Sequence, residues 1–126
     1  MLMVTHLPQE IEVWYLLPAM RRELTKVLLE NHDLKQKEVA KLLGVTEAAI
    51  SQYKKAKRAG DIVFSKSEKE IILEYAEKML KTPAKFQQYL YQLSQKLHGC
   101  NSMCVFHKKI DDSVPEDCKL CKLTAK

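Results

Sequence analysis

Apolar residues recur every three or four positions along most of this chain and almost nowhere alternate with polar ones. That period is helical, because side chains three and four apart share one face of a helix. Over residues 19–31, Met20, Leu24, Val27 and Leu28 form one stripe, with Arg21, Arg22, Glu23 and Lys26 mostly outside it. Pro18 suits the first turn of that helix. The preceding segment, IEVWYLL at 11–17, is apolar throughout and reads as a short helix or an extended arm, after a flexible lead at 1–7. Asp33 caps the next helix or turns the chain into it. Val39, Ala40 and Leu43 mark that helix, and Gly44 ends it, being free to adopt the left-handed conformation. Thr46 then caps a second short helix whose inward face is Ala49, Ile50 and Tyr53. After a linker at 61–66, Ser67 and Glu70 form a capping box for a helix over 68–81 that buries Ile71, Ile72, Tyr75, Met79 and Leu80. Thr82-Pro83 breaks it. A last helix over 84–98 turns Phe86, Leu90, Leu93 and Leu97 inward. No strand and no repeat is expected, so the predicted fold is all-α.

Within this pattern QKEVAKLLGVTEAAISQY, residues 36–53, has the layout of a helix-turn-helix. Ala40 is small enough for two helices to cross closely, and Val45 plugs the gap between them. The outward face of the second helix is Glu47, Ala48, Ser51, Gln52, Lys54 and Lys55, all short or polar, as a groove-reading face requires. The spacing resembles the helix-turn-helix of the Cro and lambda-repressor (XRE-like) type of bacterial and archaeal regulators. It includes the leading Gln36, the Ala at 40, the turn Gly44 and the aliphatics that flank it. The longer stretch LLPAMRRELTKVLLENHDLKQKEVAKLLGVTEAAISQYKKAKR is similar to a group of archaeal predicted transcriptional regulators. In that group LPA-(I/M)-R opens the helix before the motif, and AAISQY or AAVSQY sits in the recognition helix. The resemblance covers residues 11–60, under half the chain. It implies a lambda-repressor-like core and sequence-specific binding to double-stranded DNA. Glu47, Ala48, Ser51 and Gln52 then face base edges, and Gln36 and Thr46 sit at helix starts where phosphate is met.

Composition changes this picture only locally. The net charge of +5 is mild for 126 residues, but Lys54, Lys55, Lys57 and Arg58 cluster at the end of the second helix. Cations there suit a helix C-terminus and can also reach phosphates. Ile11, Trp14, Tyr15 and Leu17, with Tyr89 and Tyr91, present more apolar surface than one small core absorbs. A homodimer that reads two half-sites is the expected use of the excess. No apolar run reaches transmembrane length and no signal pattern opens the chain, so no membrane partner and a cytoplasmic location are expected. No acid–base pair stands at an obvious spacing and no glycine-rich phosphate loop is present, which argues against an enzyme.

All four cysteines lie at the end: Cys100 and Cys104, then Cys118 and Cys121, as C-x3-C, thirteen residues, C-x2-C. Two close pairs separated by a loop are the signature of a four-thiolate site. Gly99, Met103, Val105 and Phe106 line one side, and His98 and His107 flank the first pair and could replace a thiolate. Three chemistries fit this spacing: an iron–sulfur cluster with a redox or iron-sensing role, a structural zinc ion, and disulfides or free thiols. The iron–sulfur cluster is the expected cofactor and zinc the alternative. The chain thus divides into a DNA-binding unit at 8–60, a helical dimerisation or support region at 61–98, and a four-cysteine loop at 99–126. The function expected is a dimeric transcriptional regulator with a cluster. The alternatives are a regulator with a purely structural zinc and a metal-stabilised adaptor for another protein.

Overall fold

The computed structural model describes residues 7–55, 62–111, 113–115, 118 and 121. Every regular element among them is helical: α1 (Pro8–Ile11), a π-helical turn (Glu12–Leu16), α2 (Leu17–Glu30), α3 (Gln36–Leu43), α4 (Glu47–Lys54), α5 (Lys66–Lys81), a 3-10 turn (Pro83–Lys85), α6 (Phe86–Leu97) and α7 (Asn101–Ile110). The all-α expectation holds for the described residues.

Pro18 stands in the first turn of α2, as expected, and of the two readings of the segment before it the short helix holds rather than the arm: α1, the π turn and α2 follow one another with helical backbone angles at the junctions Ile11 and Leu17. Proline has no N–H for the carbonyl four residues back, and its ring crowds that carbonyl. The wider π turn just upstream, in which the Leu17 N–H reaches Glu12 O, gives the ring room. Ile11 and Leu16 are buried here, Trp14 is 55% exposed, and Tyr15 packs its ring 4.6 Å from that of Phe106.

One core runs through the whole fold. It joins Leu24 and Leu28 of α2, Val39 and Leu43 of α3, Ile50 and Tyr53 of α4, Ile72 and Met79 of α5, Leu93 and Leu97 of α6, and Met103 and Phe106 of α7. α2 packs on α4 and α5, α5 on α6, and α3 on both α4 and α6. Each fully buried aliphatic side chain contributes about 1.5–3 kcal/mol relative to exposure. Val27, Ile71, Leu80 and Phe86, expected inside, are only half-buried, while Thr25 and Ala76 are buried in the helix stripes.

α3 stops where the pattern predicts. Gly44 has φ 69°, and the Val45 N–H closes back on Ala40 O at 3.0 Å, satisfying a carbonyl the helix end would leave open. A Cβ at Gly44 would meet the Phe86 ring at 3.4 Å, so α6 packs against this turn. Asp33 takes the other predicted turn, with a positive φ of 56°, which a short polar side chain tolerates. The cap of α3 itself is at Lys35, whose N–H donates to Glu38 Oε1 at 3.0 Å.

Two further corrections concern the second half. α5 is capped by Ser65, not Ser67: the Ser65 N–H donates to Glu68 Oε1 at 2.8 Å and the Glu68 N–H to Ser65 Oγ at 3.3 Å. Ser65-x-x-Glu68 and Ser67-x-x-Glu70 are overlapping boxes, and tertiary contacts choose between them. Ile62 and Phe64 bury just before the helix, and Glu68 turns inward to meet α7. There it accepts from the Ser102 N–H at 3.3 Å and from the Ser102 hydroxyl. The cysteine segment, read as a loop, contains α7. Met103 and Phe106 bury on its inner face while Val105 stays exposed.

Glu68 therefore serves two helix starts with one carboxylate. Burial pushes its carboxyl up, but hydrogen bonds from Ser102 and Ser65 outweigh this and hold it below the ordinary 4.5. A carboxylate whose folded value is depressed stabilises the fold fully above the unfolded value, and that contribution is lost as pH falls through the folded value. Glu68→Gln is expected to cost about 1–3 kcal/mol at neutral pH, measured by urea unfolding. The gap between the variant and the native protein should narrow below pH 4.5; a gap that stays constant down to pH 3 would contradict a charged Glu68. Gly44→Ala is expected to cost about 1–2 kcal/mol through left-handed strain, read as a lower unfolding midpoint with unchanged helix content.

Candidate functional site

The polar face of α4 is held outward by what its opposite face buries. Ala49, Ile50 and Tyr53 lie in the core, which turns Glu47, Ala48, Gln52, Lys54 and Lys55 to solvent. The helix starts cleanly, because Thr46 Oγ1 accepts the Ala49 N–H at 3.1 Å. That satisfies one of the amides a helix start leaves open. Ser51 is half-buried, and its hydroxyl donates to Gln36 Oε1 at 3.2 Å. Gln36 at the head of α3 and Ser51 in the middle of α4 thereby lock the angle between the two helices.

Five expected DNA-facing residues, Glu47, Ala48, Gln52, Lys54 and Lys55, thus stand together on one exposed face. Thr46 and Gln36 lie at the two helix starts. Ser51 lies on the α4 face with its hydroxyl already engaged. Lys57 and Arg58 lie outside the described residues. α3 adds two exposed cations, Lys37 and Lys41. An α4-type face of this kind offers one side chain able to bond two base-edge atoms at once, Gln52, and one carboxylate acceptor, Glu47.

The four cysteines divide in space. Cys100 is the N-cap residue of α7, and its thiol is in contact with the Glu68 carboxylate. Burial, with the Glu68 charge adding to it, pushes that thiol up to about 12. Cys104 and Cys121 lie beside Gly99. The Cys104 thiol points to Gly99 O at 3.7 Å. Gly99 has φ 72°, and a Cβ there would lie 2.8 Å from Cys121 Cβ, so only glycine lets the end of the chain come this close. The Cys121 thiol is pushed up first by burial and then by the nearby Cys104 and Cys118 sulfurs and the Glu12 carboxylate, and it shares a hydrogen bond with Cys104.

Glu12 is also the partner of His98, whose Nδ1 lies 2.6 Å from Glu12 Oε2. His107 is turned elsewhere: its Nε2 lies 3.5 Å from Asp111 Oδ2. Asp111 in turn accepts from the Ser113 N–H at 3.0 Å and its hydroxyl at 2.6 Å. Among the described residues no three His, Cys, Asp or Glu side chains are already gathered closely enough to hold a metal ion, and no disulfide joins the cysteines.

Sequence reasoning missed Glu12 and Glu68 as partners of the cysteine segment. Glu12 carried one signal, as the lone carboxylate inside the apolar run IEVWYLL. Glu68 carried none, since a capping-box acid explains itself without a second partner.

No helix among the described residues is long and apolar enough to cross a membrane. No curated protein and no solved structure matches the chain. A family model described as helix-turn-helix matches residues 26–60, which takes in the end of α2, all of α3, the Gly44 turn and α4. The match over residues 26–60 supports a helix-turn-helix DNA-binding regulator similar to those of the Cro and lambda-repressor type.

Proposed function

We propose that this protein is a sequence-specific, dimeric transcriptional regulator that lays α4 in the DNA major groove. A metal centre in its cysteine segment bears on that binding. The observation that carries the reading is the α4 face: Glu47, Ala48 and Gln52 stand exposed on a helix whose other side is buried under α2 and α3. Rigid backing matters here, because a bidentate side chain discriminates between bases only when its helix cannot tilt. Gln52 is the candidate for adenine and Glu47 for the cytosine amino group. Gln36 and Thr46 approach phosphates at the helix starts, and Lys54, Lys55, Lys57 and Arg58 supply further backbone contacts.

Pairing is supported by apolar side chains that the described fold leaves exposed, Val13, Trp14 and Tyr91 among them. One module of this size contacts few bases, and a two-fold pair doubles the site. The cysteine segment suits a soft metal, as an iron–sulfur cluster or as zinc. A cluster would make DNA affinity respond to oxygen through a coupling of about 1–3 kcal/mol; zinc would leave it indifferent.

The test is selection of a binding sequence from a random duplex library, followed by titrations over a salt series. Gln52→Ala should cost about 1–3 kcal/mol on the selected site and relax preference at one base pair. Replacing Lys54 or Lys55 by Ala should weaken all sequences alike and lower the salt slope by about one. Unchanged affinity and specificity in a Ser51/Gln52 double alanine variant would remove α4 as the reading helix. Sedimentation on the selected duplex should give two chains per site, and one chain per site at micromolar protein would end the dimer reading.

A further inference from the structure

A serine hydroxyl can meet a base edge either way round, because it donates one hydrogen and also accepts through its oxygen. In α4 that freedom is removed. The Ser51 hydroxyl donates its hydrogen to Gln36 Oε1 at 3.2 Å. A mid-helix serine without such a partner turns the hydrogen to the carbonyl four residues back or to solvent. Here the acceptor comes from another helix, from the first residue of α3. Only the oxygen lone pairs of Ser51 then remain for a ligand. The surroundings leave them within reach. Ser51 is half-buried, Ala48 and Gln52 beside it are exposed, and Ala48, one turn earlier, has no atom beyond Cβ to bar an approaching base. Gln36 spends only its carbonyl oxygen on this bond, so its amide nitrogen keeps its hydrogens for a phosphate.

We infer that Ser51 enters the groove as an acceptor alone, set so by Gln36, and selects a base with an exocyclic amino group over one with a keto oxygen. On the contacted strand that base is adenine, bound through N6, or cytosine, bound through N4. Guanine O6 and thymine O4 would bring a lone pair against a lone pair. A serine with a free hydrogen makes no such choice. The rule also differs from that of Gln52, whose amide offers a donor and an acceptor together and suits adenine. Two kinds of contact are thereby coupled, since the side chain at the head of α3 that meets phosphate also fixes what α4 reads. This inference rests on the proposed placing of α4 in the major groove.

The full chain is used to select duplexes, and the base pair read by Ser51 is the one whose preference relaxes in Ser51→Ala. One strand should carry adenine or cytosine there. Purine in place of that adenine, or 2-pyrimidinone in place of that cytosine, removes the amino group. The change should cost the native protein about three- to tenfold in affinity, the size of one hydrogen bond, and cost Ser51→Ala nothing. An adenine changed to 7-deazaadenine keeps the amino group and loses N7, and should bind as before. Gln36→Glu keeps an acceptor for the hydroxyl, so the preference should stay while the added charge weakens all sequences. Gln36→Met removes the acceptor at similar length and should admit a keto base at this base pair and no other. Circular dichroism and melting of each variant show whether the helices are intact, and the modified duplexes test the native chain itself. Four results overturn the inference and leave the α4 reading standing: a keto base opposite Ser51, a loss with 7-deazaadenine, a preference unmoved in folded Gln36→Met, or no base pair relaxed by Ser51→Ala while Gln52→Ala relaxes one. If neither Ser51→Ala nor Gln52→Ala changes the selected sequence, the α4 reading falls and this inference with it.

Discussion

Burial of Ile50 and Tyr53 beneath α2 and α3 is the constraint on which the rest of the molecule depends. α4 is eight residues long, too short to hold a helical shape in water by its own hydrogen bonds. It is helical because one face is taken out of water, because Thr46 caps its start, and because Gly44 lets α3 turn into it within three residues. Once those contacts form, the polar face has no choice of direction. The Ser51–Gln36 hydrogen bond then sets the angle between the two helices with groups that would otherwise face solvent. The same packing that makes the domain stable therefore makes its outer surface a fixed template, and α6 presses on the turn from behind through Phe86.

The second half of the chain is attached to this unit by polar as well as apolar contacts. Glu68 caps α5 and also receives both the amide and the hydroxyl of Ser102. A buried carboxylate is costly unless it is satisfied, and here the open amides at the starts of two helices satisfy it. The arrangement makes the start of α7 an extension of the start of α5.

The cysteines show how a spacing motif constrains chemistry without assigning partners. C-x3-C places Cys100 and Cys104 one helical turn apart, yet Cys100 sits at the cap of α7 and Cys104 a turn inside it. The two thiols then meet different surroundings, Glu68 on one side and the Gly99 carbonyl with Cys121 on the other. Glu12 reaches this place because the π turn before Pro18 reshapes the helix that carries it. A residue at the start of the chain and one at position 98 become neighbours by that route.

The elements legible in the sequence were those whose causes lie within a few residues. Helical periodicity marked nearly every helix, Gly44 ended α3, Thr46 opened α4, and Thr82-Pro83 broke α5 from α6. The α4 face was legible for the same reason, since which side chains share it follows from the period alone. Three things were decided only by the tertiary structure: the choice of Ser65 over Ser67, the passage of a helical stretch through Pro18, and the division of the four cysteines between Glu68 and the Glu12–His98 pair. Each depends on groups distant in sequence, Glu68 with Ser102 and Glu12 with His98. In each case the local sequence allowed more than one solution, and only closing the chain on itself brought up the group that separates them.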